Sequence, residues 1–372
     1  MKRKTDNKFF KARKLSAFKH RSNFGASPGT LTIHPDLAQD GLKLVVASFS
    51  DKELVEIEIK EPADVQTYLQ QYNVTWLSVY GLGNLDKLQE IADIFKFHNL
   101  AMEDVINTHQ RPKVEEYGDT MFSIISMPRI LEDGLYLEQV SIFWSKNFVV
   151  TFMEKEGDCL DPLRVRIRNE ERRLSLLHPE YLAYSMIDTI VDSYFPLLEM
   201  YGLQLDDIEE EAIANPTRQI IIRVHDFKRD LAAVRRTMWS QRESLRNLLE
   251  VAKFTNPEMK FFIRDCEDHT IQLIDILESY RERTSGLMDL YLSSVNNKMN
   301  EIMKILTMIA VIAMPINAVA SIYGMNFDRV HPWNMPELSW VYGYEYALGL
   351  MLFIVATQFY FFWRRGWLRP HP

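Results

Sequence analysis

Two charge-free stretches near the C-terminal end constrain this chain more than any other feature of its sequence. The segment from Ile305 to Phe327 contains no Asp, Glu, Lys or Arg, and neither does the segment from Tyr346 to Trp363. A helix needs about 20 largely apolar residues to cross the core of a bilayer. The first stretch reaches that length, and the second does so with its aromatic flanks. Both therefore predict membrane-spanning helices, joined by a short loop that contains Gly324-Met325-Asn326.

The rest of the chain has the composition of a soluble protein. The mean hydropathy over the whole chain is only -0.18, which hides the two apolar stretches. A formal net charge of -8 argues against nucleic acid as a partner. Cys159 and Cys266 are too few for a disulfide framework, so we expect reduced thiols. No G-x-x-x-x-G-K-[ST] loop is present, which gives no reason to expect an ATPase or another enzyme.

Basic residues at the two ends of the chain predict its orientation in a cell membrane. Residues 1–21 hold nine Lys or Arg and one Asp but no apolar core follows, so they are not a signal peptide. Arg364, Arg365 and Arg369 follow the second stretch, whereas the loop carries only Arg329 as a firm positive charge. The positive-inside rule then predicts that both termini are cytoplasmic and the loop is outside. The basic N-terminal tail either contacts anionic lipid or is disordered.

The region between about residues 42 and 155 mixes strand and helix patterns. Leu85, Leu88, Ile91 and Ile94 recur at helical spacing, between segments rich in β-branched and aromatic residues. We expect a compact cytoplasmic α/β domain without a phosphate-binding glycine loop. The expected strand segments are LKLVVASF, VTWLSVYGL, TMFSIISMPRI and QVSIFWSKNFVVTFMEK, the last with a turn at 145–147.

From about Pro179 the pattern changes to long helices. One helical pattern runs to a break at Asn215-Pro216 and a second follows it, which predicts an antiparallel hairpin. Carboxylates crowd the tip of this hairpin and cations line its return arm. Charge pairing on a solvated face explains both, and a metal site at the tip remains the alternative. The residues are Asp206, Asp207, Glu209, Glu210 and Glu211, with Arg223, Lys228, Arg229, Arg235 and Arg236 on the return arm.

The last helix before the loop is predicted to be unusually long. After Pro257 the next proline is Pro315, and no strong stop precedes Gly324. At about 1.5 Å per residue this is roughly 100 Å of helix. One such rod and one additional span cannot enclose a pathway. Transport would therefore require an oligomer with the rods packed around an axis.

These changes of pattern divide the chain into successive regions. The divisions follow charge, helical periodicity and the two breaks at Pro179 and Pro257. We predict a basic tail at 1–40, a cytoplasmic α/β domain at 41–178, a helical hairpin at 179–256, a stalk helix at 257–304, a pore-lining span at 305–323, an outer loop at 324–345, a second span at 346–363 and a basic cytoplasmic tail at 364–372.

One face of the first span carries small and weakly polar residues at helical spacing. Such a stripe suits a helix-packing seam or the wall of a water-containing pore with apolar constrictions at Met303, Leu306 and Met314. In a ring of helices one face is both. The pore stripe consists of Asn300, Met303, Thr307, Ala310, Met314, Asn317 and Ser321, with Leu306 beside it.

The chemistry of this stripe favours a hard cation. It contains neither Cys nor His, the ligands typical of a relay for soft metals. Its amide and hydroxyl oxygens suit the water shell of Mg²⁺, which the ion holds tightly. The stripe therefore predicts Mg²⁺ as the transported ion and gives no reason to expect an organic cofactor.

The sequence YGMNF at residues 323–327, at the end of a charge-free span and followed by MPEL at 335–338, resembles the CorA family of magnesium and cobalt transport proteins. The resemblance extends to MEDVINTHQRPKVE at 102–115, to YLAYSMIDTIVDSYFPLLE and to GLMDLYLSSVNNKMNEIMKILT. One departure is DRVHPWN at 328–334, which is inserted between Phe327 and MPEL. The outer acidic residue Asp328 lies within this insertion and Glu337 lies after it.

The resemblance implies a homopentamer with a funnel-shaped cytoplasmic domain, embedded in the bilayer and lined by the first span of each subunit. Gly324, Met325 and Asn326 correspond to the family's selectivity loop. The family's regulatory metal sites lie between subunits and correspond to Asp265 with Asp104 and Glu103. Its pore constrictions correspond to Asn300, Met303, Leu306 and Met314, and the polar ring above them to Asn317. Regulatory Mg²⁺, and Co²⁺ or Ni²⁺ as further substrates, are expected from the same resemblance.

Three hypotheses about function follow. The first is a pentameric channel for Mg²⁺ uptake that the membrane potential drives and cytoplasmic Mg²⁺ closes. The second is a zinc-exporting member of the same superfamily, which the neutral stripe and the YGMNF-to-MPEL segment disfavour. The third is a membrane-tethered sensor or scaffold that does not conduct.

Overall fold

The computed structural model describes residues 29, 31, 41–51, 53–108, 110–131, 134–169, 177–251, 257–328 and 333–367. It separates into two compact units. Unit 1 comprises Met1–Glu211 and Thr217–Met288, and unit 2 comprises Ala212–Pro216 and Asp289–Pro372. Almost all of the predicted basic N-terminal tail, and the end of the C-terminal one, lie outside the described residues.

Unit 1 contains a seven-stranded sheet in the order β2-β1-β3-β7-β6-β5-β4. Strands β3 and β7 pair in parallel, and the other described pairs are antiparallel. Strand β3, in the interior of the sheet, is buried along its whole length, which its largely apolar sequence VTWLSVY explains. The strands are β1 (Lys43–Phe49), β2 (Leu54–Ile59), β3 (Val74–Tyr80), β4 (Lys113–Tyr117), β5 (Thr120–Leu131), β6 (Gly134–Trp144) and β7 (Phe148–Met153).

Three helices contribute to a core on one face of the sheet: α1 (Val65–Gln71), α2 (Leu85–Phe95) and α3 (Asn99–Ile106). Asn84 is the N-cap of helix α2: its side chain accepts a hydrogen bond from the Lys87 backbone N–H and so satisfies a free donor of the first turn. Leu88, Ile91 and Phe95 recur at helical spacing and are buried. The predicted α/β domain is confirmed.

The other face of the sheet is covered by α5 (Pro179–Asp192), which packs against β5, β6 and β7. Helix α4 (Asp161–Arg168) precedes it, and α6 (Tyr194–Ala214) follows after a break at Ser193. The buried Tyr194 hydroxyl donates to the Ser126 carbonyl at 2.7 Å. This bond fixes the start of α6 on the sheet.

The chain then turns back through residues 215–217 into α7 (Arg218–Val251), where the hairpin was predicted. Within unit 1, Tyr201 of α6 donates to Asp230 of α7 at 3.2 Å, and Arg223 of α7 pairs with Glu211. Part of the predicted acidic tip is thus neutralised by the return arm, as charge pairing predicts.

Helix α8 (Met259–Tyr323) runs for 65 residues, contains Pro315 and ends one residue before Gly324. Its charged front part belongs to unit 1, where apolar residues at helical spacing are buried. Arg283 of α8 pairs with Asp206 at 2.6 Å and with Glu209 at 3.0 Å. These contacts neutralise two further carboxylates of the hairpin tip. The buried positions of this part include Ile263, Cys266, Thr270, Leu273, Leu277, Thr284 and Leu287.

Unit 2 contains the remainder of α8 and the helix α9 (Gly343–Arg364), with a short 3₁₀ turn at Pro336–Ser339 between them. Both helices are long and apolar enough to cross a membrane. Of the most apolar 18 residues in each helix, 0% are buried in α8 and 11% are buried in α9. Since a helix in a soluble core would be mostly buried, these faces require lipid or further protein around them.

Candidate pore segment and metal sites

All members of the predicted pore stripe lie on α8 in unit 2, and each of them is exposed in the isolated chain. Met314 has 72% of its surface accessible. Exposure alone does not distinguish the stripe, because Ile305 and Ile309 are also exposed. What distinguishes it is its position around the helix.

Half-buried residues mark the side of α8 that the rest of unit 2 covers. Apart from the adjacent pair Pro315 and Ile316 they are three or four residues apart, so they share one face of the helix. At 3.6 residues per turn, most of the pore stripe lies about half a turn away from that face. The stripe is therefore free to contact other molecules. The half-buried residues are Met308, Ile312, Pro315, Ile316 and Val319.

Thr307 is a stripe member that shares a cavity with residues of α9. Its side chain helps to line a cavity of about 360 Å³ together with Phe361, Phe362 and Trp367. Its hydroxyl donates to the Met303 carbonyl of the preceding turn at 2.7 Å. Because the Thr307 hydroxyl is hydrogen-bonded within its own helix, it can line this cavity without a polar partner from another helix.

The tripeptide 324–326 follows directly after the last turn of α8. The Gly324 N–H donates to the Ala320 carbonyl at 3.0 Å and the Met325 N–H to the Ile322 carbonyl at 3.2 Å. A Cβ at Gly324 would lie 3.3 Å from the Ala320 oxygen, a tight approach that favours glycine. Asn326 is exposed immediately beyond these bonds. The helix end thus fixes the backbone of the loop and leaves the amide accessible.

The two predicted outer acidic residues have different environments. The Tyr323 hydroxyl lies 3.3 Å from a Glu337 carboxylate oxygen, which joins the end of α8 to the 3₁₀ turn. The backbone carbonyl of Asp328 accepts from the Asn334 side chain at 2.9 Å. A Cβ at Gly343 would lie 2.2 Å from the Glu337 carbonyl oxygen, so the chain can enter α9 only through glycine here. Residues 329–332 of the predicted insertion lie outside the described part of the loop.

Glu103 and Asp104 lie side by side on α3 in unit 1, and both have protein partners. The Gly29 N–H donates to Glu103 Oε2 at 2.6 Å. Lys113 Nζ lies 2.7 Å from Asp104 Oδ2 and 2.8 Å from Glu115. Partial burial raises the pKa of Asp104, against the lowering effect of the Lys113 ammonium. A metal ion at Asp104 would therefore compete with Lys113.

Asp265 lies on α8 in unit 1 with 66% of its side chain exposed. Its carboxylate is 4.0 Å from His269 Nε2, one turn later. Among the described residues, no hydrogen bond or ion pair joins Asp265 to Glu103 or Asp104. The three predicted regulatory carboxylates are thus not assembled into one site within a single chain.

The structure assembles a different group next to Asp265. Asp188 and Asp192 of α5 and His269 of α8 each offer one ligand atom, and these atoms lie within 4.8 Å of one another. His269 Nδ1 is 2.9 Å from Asp192 Oδ1. Asp188 Oδ1 is buried and has no hydrogen-bond partner among the described residues. We refer to Asp188, Asp192 and His269 as the Asp-Asp-His group.

The electrostatics of this group favour a cation. Burial raises the pKa of Asp188 to about 6, and the charges of Asp192 and Asp265 contribute. Burial and the same carboxylates also hold the pKa of the Cys266 thiol well above its ordinary value, so Cys266 remains protonated. A divalent ion would relieve the repulsion among the carboxylates.

The sequence prediction did not include the Asp-Asp-His group. Its members are separated by 77 residues between Asp192 and His269. The available signal was spacing, because Asp188 and Asp192, and likewise Asp265 and His269, are four residues apart and share a helix face.

Comparisons with known proteins agree with this arrangement of elements. The family model described as "CorA-like Mg2+ transporter protein" matches residues 72–365. The chain belongs to the CorA family. The cobalt/magnesium transport protein CorA of Thermotoga maritima is 38% identical over 348 residues, which cover 92% of this chain and 97% of that protein.

Other known proteins extend the similarity. A putative metal ion transporter of Bacillus subtilis is 34% identical and covers 84% of this chain and 93% of its own length. The complete structure of the CorA magnesium transporter from Methanocaldococcus jannaschii matches with a TM-score of 0.68 and 24% identity. That match covers 87% of this chain and 98% of the other, and it supports the fold alone.

Membership of the CorA family confirms three of the sequence predictions. The chain is a membrane protein and a divalent cation transporter, and it belongs to a class of ion transporters rather than enzymes. The zinc-exporting alternative is not favoured.

Proposed function

We propose that this protein forms a homopentameric channel for Mg²⁺ uptake, with Co²⁺ as a further substrate, in which α8 of each subunit lines the pore. The observation that carries the proposal is the free pore stripe on the side of α8 that unit 2 leaves uncovered. It leads along the helix to the exposed amide of Asn326. The positive-inside rule supports cytoplasmic termini and an external loop.

In this channel, Asn326 and the neutral oxygens of Asn300, Asn317 and Ser321 contact the water shell of the ion. Mg²⁺ loses its water reluctantly, so a ring of amide oxygens selects it without direct coordination. The side chains of Met303, Leu306 and Met314 supply apolar constrictions, where conduction stops when water leaves. Gly324 and Met325 hold the loop at the helix end, and Thr307 and Ala310 keep the wall narrow. Asp328 and Glu337 attract cations outside.

We further propose that cytoplasmic Mg²⁺ closes the channel by bridging subunits at Asp265 of one copy and Glu103 or Asp104 of the next. The exposure of Asp265 supports this, because its carboxylate is accessible to a second chain. The Asp-Asp-His group beside it adds a nitrogen ligand. Since imidazole suits Co²⁺ and Ni²⁺ better than Mg²⁺, this group would sense the transition metals. Binding that favours the closed state provides the feedback.

Ion flux into liposomes tests the channel. We expect the wild type to admit Mg²⁺ and the Asn326→Ala variant to lose at least about 90% of that flux, because alanine cannot contact the ion's water shell. Val341→Ala is the matched control, since this residue lies in the same loop and is 91% exposed.

Size-exclusion chromatography with light scattering shows whether each variant assembles. An assembled Asn326→Ala protein with wild-type Mg²⁺ flux would remove the loop from the mechanism. A wild type that passes no divalent cation at any internal Mg²⁺ concentration would instead favour the non-conducting sensor.

A further inference from the structure

Pro315 leaves one backbone carbonyl of the pore helix without its usual partner. Within a helix, each carbonyl accepts from the N–H four residues later, and proline has no N–H. Since Pro315 lies inside α8, the carbonyl it fails to satisfy is that of Val311. In helix interiors a proline ring also clashes with this carbonyl and kinks the helix. In a bilayer no water is available to replace the missing donor.

A side chain of the second span supplies that donor. Gln358 Nε2, on α9, lies 2.8 Å from the Val311 carbonyl oxygen. The orientation of the amide follows from this partner, because a carbonyl oxygen can only accept and Gln358 must present its NH₂ group. Both residues belong to unit 2, so the contact lies within one compact unit.

Apart from its bond to Val311, the Gln358 side chain lies in largely apolar surroundings. Its other amide atom, Oε1, is buried and has no hydrogen-bond partner among the described residues. The side chain lines the same 360 Å³ cavity as Phe361, Phe362 and Trp367. Burying an amide group with one of its two polar ends unpaired costs free energy. The hydrogen bond that Gln358 makes to Val311 must offset this cost.

We propose that Gln358 is a positioning residue for the pore helix, which holds the bend at Pro315 by binding the carbonyl that the proline leaves free. The bond fastens the second span to the first within one subunit. Met314, a predicted constriction, immediately precedes Pro315 and lies on the opposite side from the half-buried face. A change in the bend therefore displaces the constriction. The gating part of this inference rests on the proposed channel function.

A double-mutant cycle tests the bond without relying on conduction. Gln358→Met keeps the size of the side chain but has no donor, and should lower the Tm of the full-length protein in detergent. Pro315→Ala restores an N–H that satisfies the Val311 carbonyl, so Gln358→Met should have little effect in that background. Pro315→Leu does the same if the alanine variant assembles poorly.

Thr357→Val is the matched control, because the Thr357 hydroxyl donates to the Phe353 carbonyl of its own helix. It should change Tm equally in both backgrounds. Equal losses of Tm for Gln358→Met with and without Pro315 would overturn the inference, since they would show that Gln358 acts independently of the free carbonyl.

Gating supplies a second readout that a purely structural role would not change. Interhelical hydrogen bonds in membranes shift an equilibrium by about threefold on average. We expect Gln358→Met to shift the Mg²⁺ concentration that half-inhibits uptake by about that factor. In the Pro315→Ala background, Gln358→Met should not shift this concentration. An equal shift in both backgrounds contradicts the proposal. If the wild type shows no flux, the channel function fails and the Tm cycle alone decides the bond.

Discussion

At the scale of single residues, Asp188 is the carboxyl group whose protonation should control the Asp-Asp-His group. Its folded-state pKa is raised to about 6, above an unfolded value of about 3.9. Its protonated form therefore stabilises the fold below about pH 4, and that stabilisation is lost as pH rises through about 6. Near neutral pH the buried charge destabilises the metal-free protein.

Asp188→Asn should raise the Tm of the chelator-treated protein at pH 7.5 by about 2 °C or more, because it removes that charge. The same variant should lose the stabilisation by Co²⁺ that grows above pH 6, where the carboxyl group becomes a ligand. Differential scanning fluorimetry from pH 5 to pH 8 measures both. Asp275→Asn, at an exposed carboxylate of α8, the helix that carries His269, is the control. Undiminished stabilisation by Co²⁺ in Asp188→Asn would rule out the group as a metal site.

At the scale of elements, Gly202 shows how closely helices α6 and α8 approach each other within unit 1. A Cβ at this position of α6 would lie 2.5 Å from the Tyr280 hydroxyl of α8. We expect Gly202→Ala to destabilise the protein by about 1–3 kcal/mol through overpacking. Tyr280→Phe in the same chain should recover most of the loss, because it removes the clashing oxygen. Chemical denaturation of the wild type, the two single variants and the double variant gives the free energy of unfolding of each protein. Strictly additive changes in that free energy would contradict the contact.

The pore stripe makes a second prediction about elements. In a chain with Cys159 and Cys266 replaced by alanine, Met314→Cys should react with a charged, membrane-impermeant thiol reagent. Met308→Cys, on the half-buried face of the same helix, should not react. Labelling in liposomes followed by mass spectrometry compares the two rates. Comparable protection of both positions would place Met314 in lipid and remove it from the pore.

The predictability of these elements depended on how far each pattern extended along the chain. The end of α8 at Tyr323 followed from Gly324, and the hairpin break followed from Asn215-Pro216. Strands β2 and β4 were not predicted, because LVEIEI and KVEEY are short segments in which glutamates interrupt the apolar residues. The Asp-Asp-His group and the Gln358–Val311 bond depend on packing between distant segments, which local periodicity does not contain.

At the scale of the whole molecule, the regulatory proposal requires more than one copy of the chain. Asp265→Lys should replace a bridging metal with a fixed positive charge that pairs with Glu103 or Asp104 of the neighbouring copy. The closed state would then persist without Mg²⁺. We expect protection against limited proteolysis to become independent of Mg²⁺ in this variant, while the wild type needs Mg²⁺ for protection.

Asp104→Ala removes the carboxylate for which a metal ion and Lys113 would compete. This change leaves Lys113 with Glu115 alone, so it should weaken the Mg²⁺ dependence of protection without abolishing assembly. Native mass spectrometry gives the subunit number for each variant. Unchanged protection by Mg²⁺ in both Asp265→Lys and Asp104→Ala would exclude this sensor.

In the proposed channel, the two spans also determine how the protein responds to an electric field. A voltage sensor needs ionisable side chains that move through the bilayer, whereas residues 305–323 and 346–363 contain no Asp, Glu, Lys or Arg. The spans therefore carry no gating charge, and the field acts on the permeating divalent ion, for which 100 mV is worth about 4.6 kcal/mol. Current through the pore should increase smoothly with voltage and show no threshold, so the concentration of the cation itself is left as the switch.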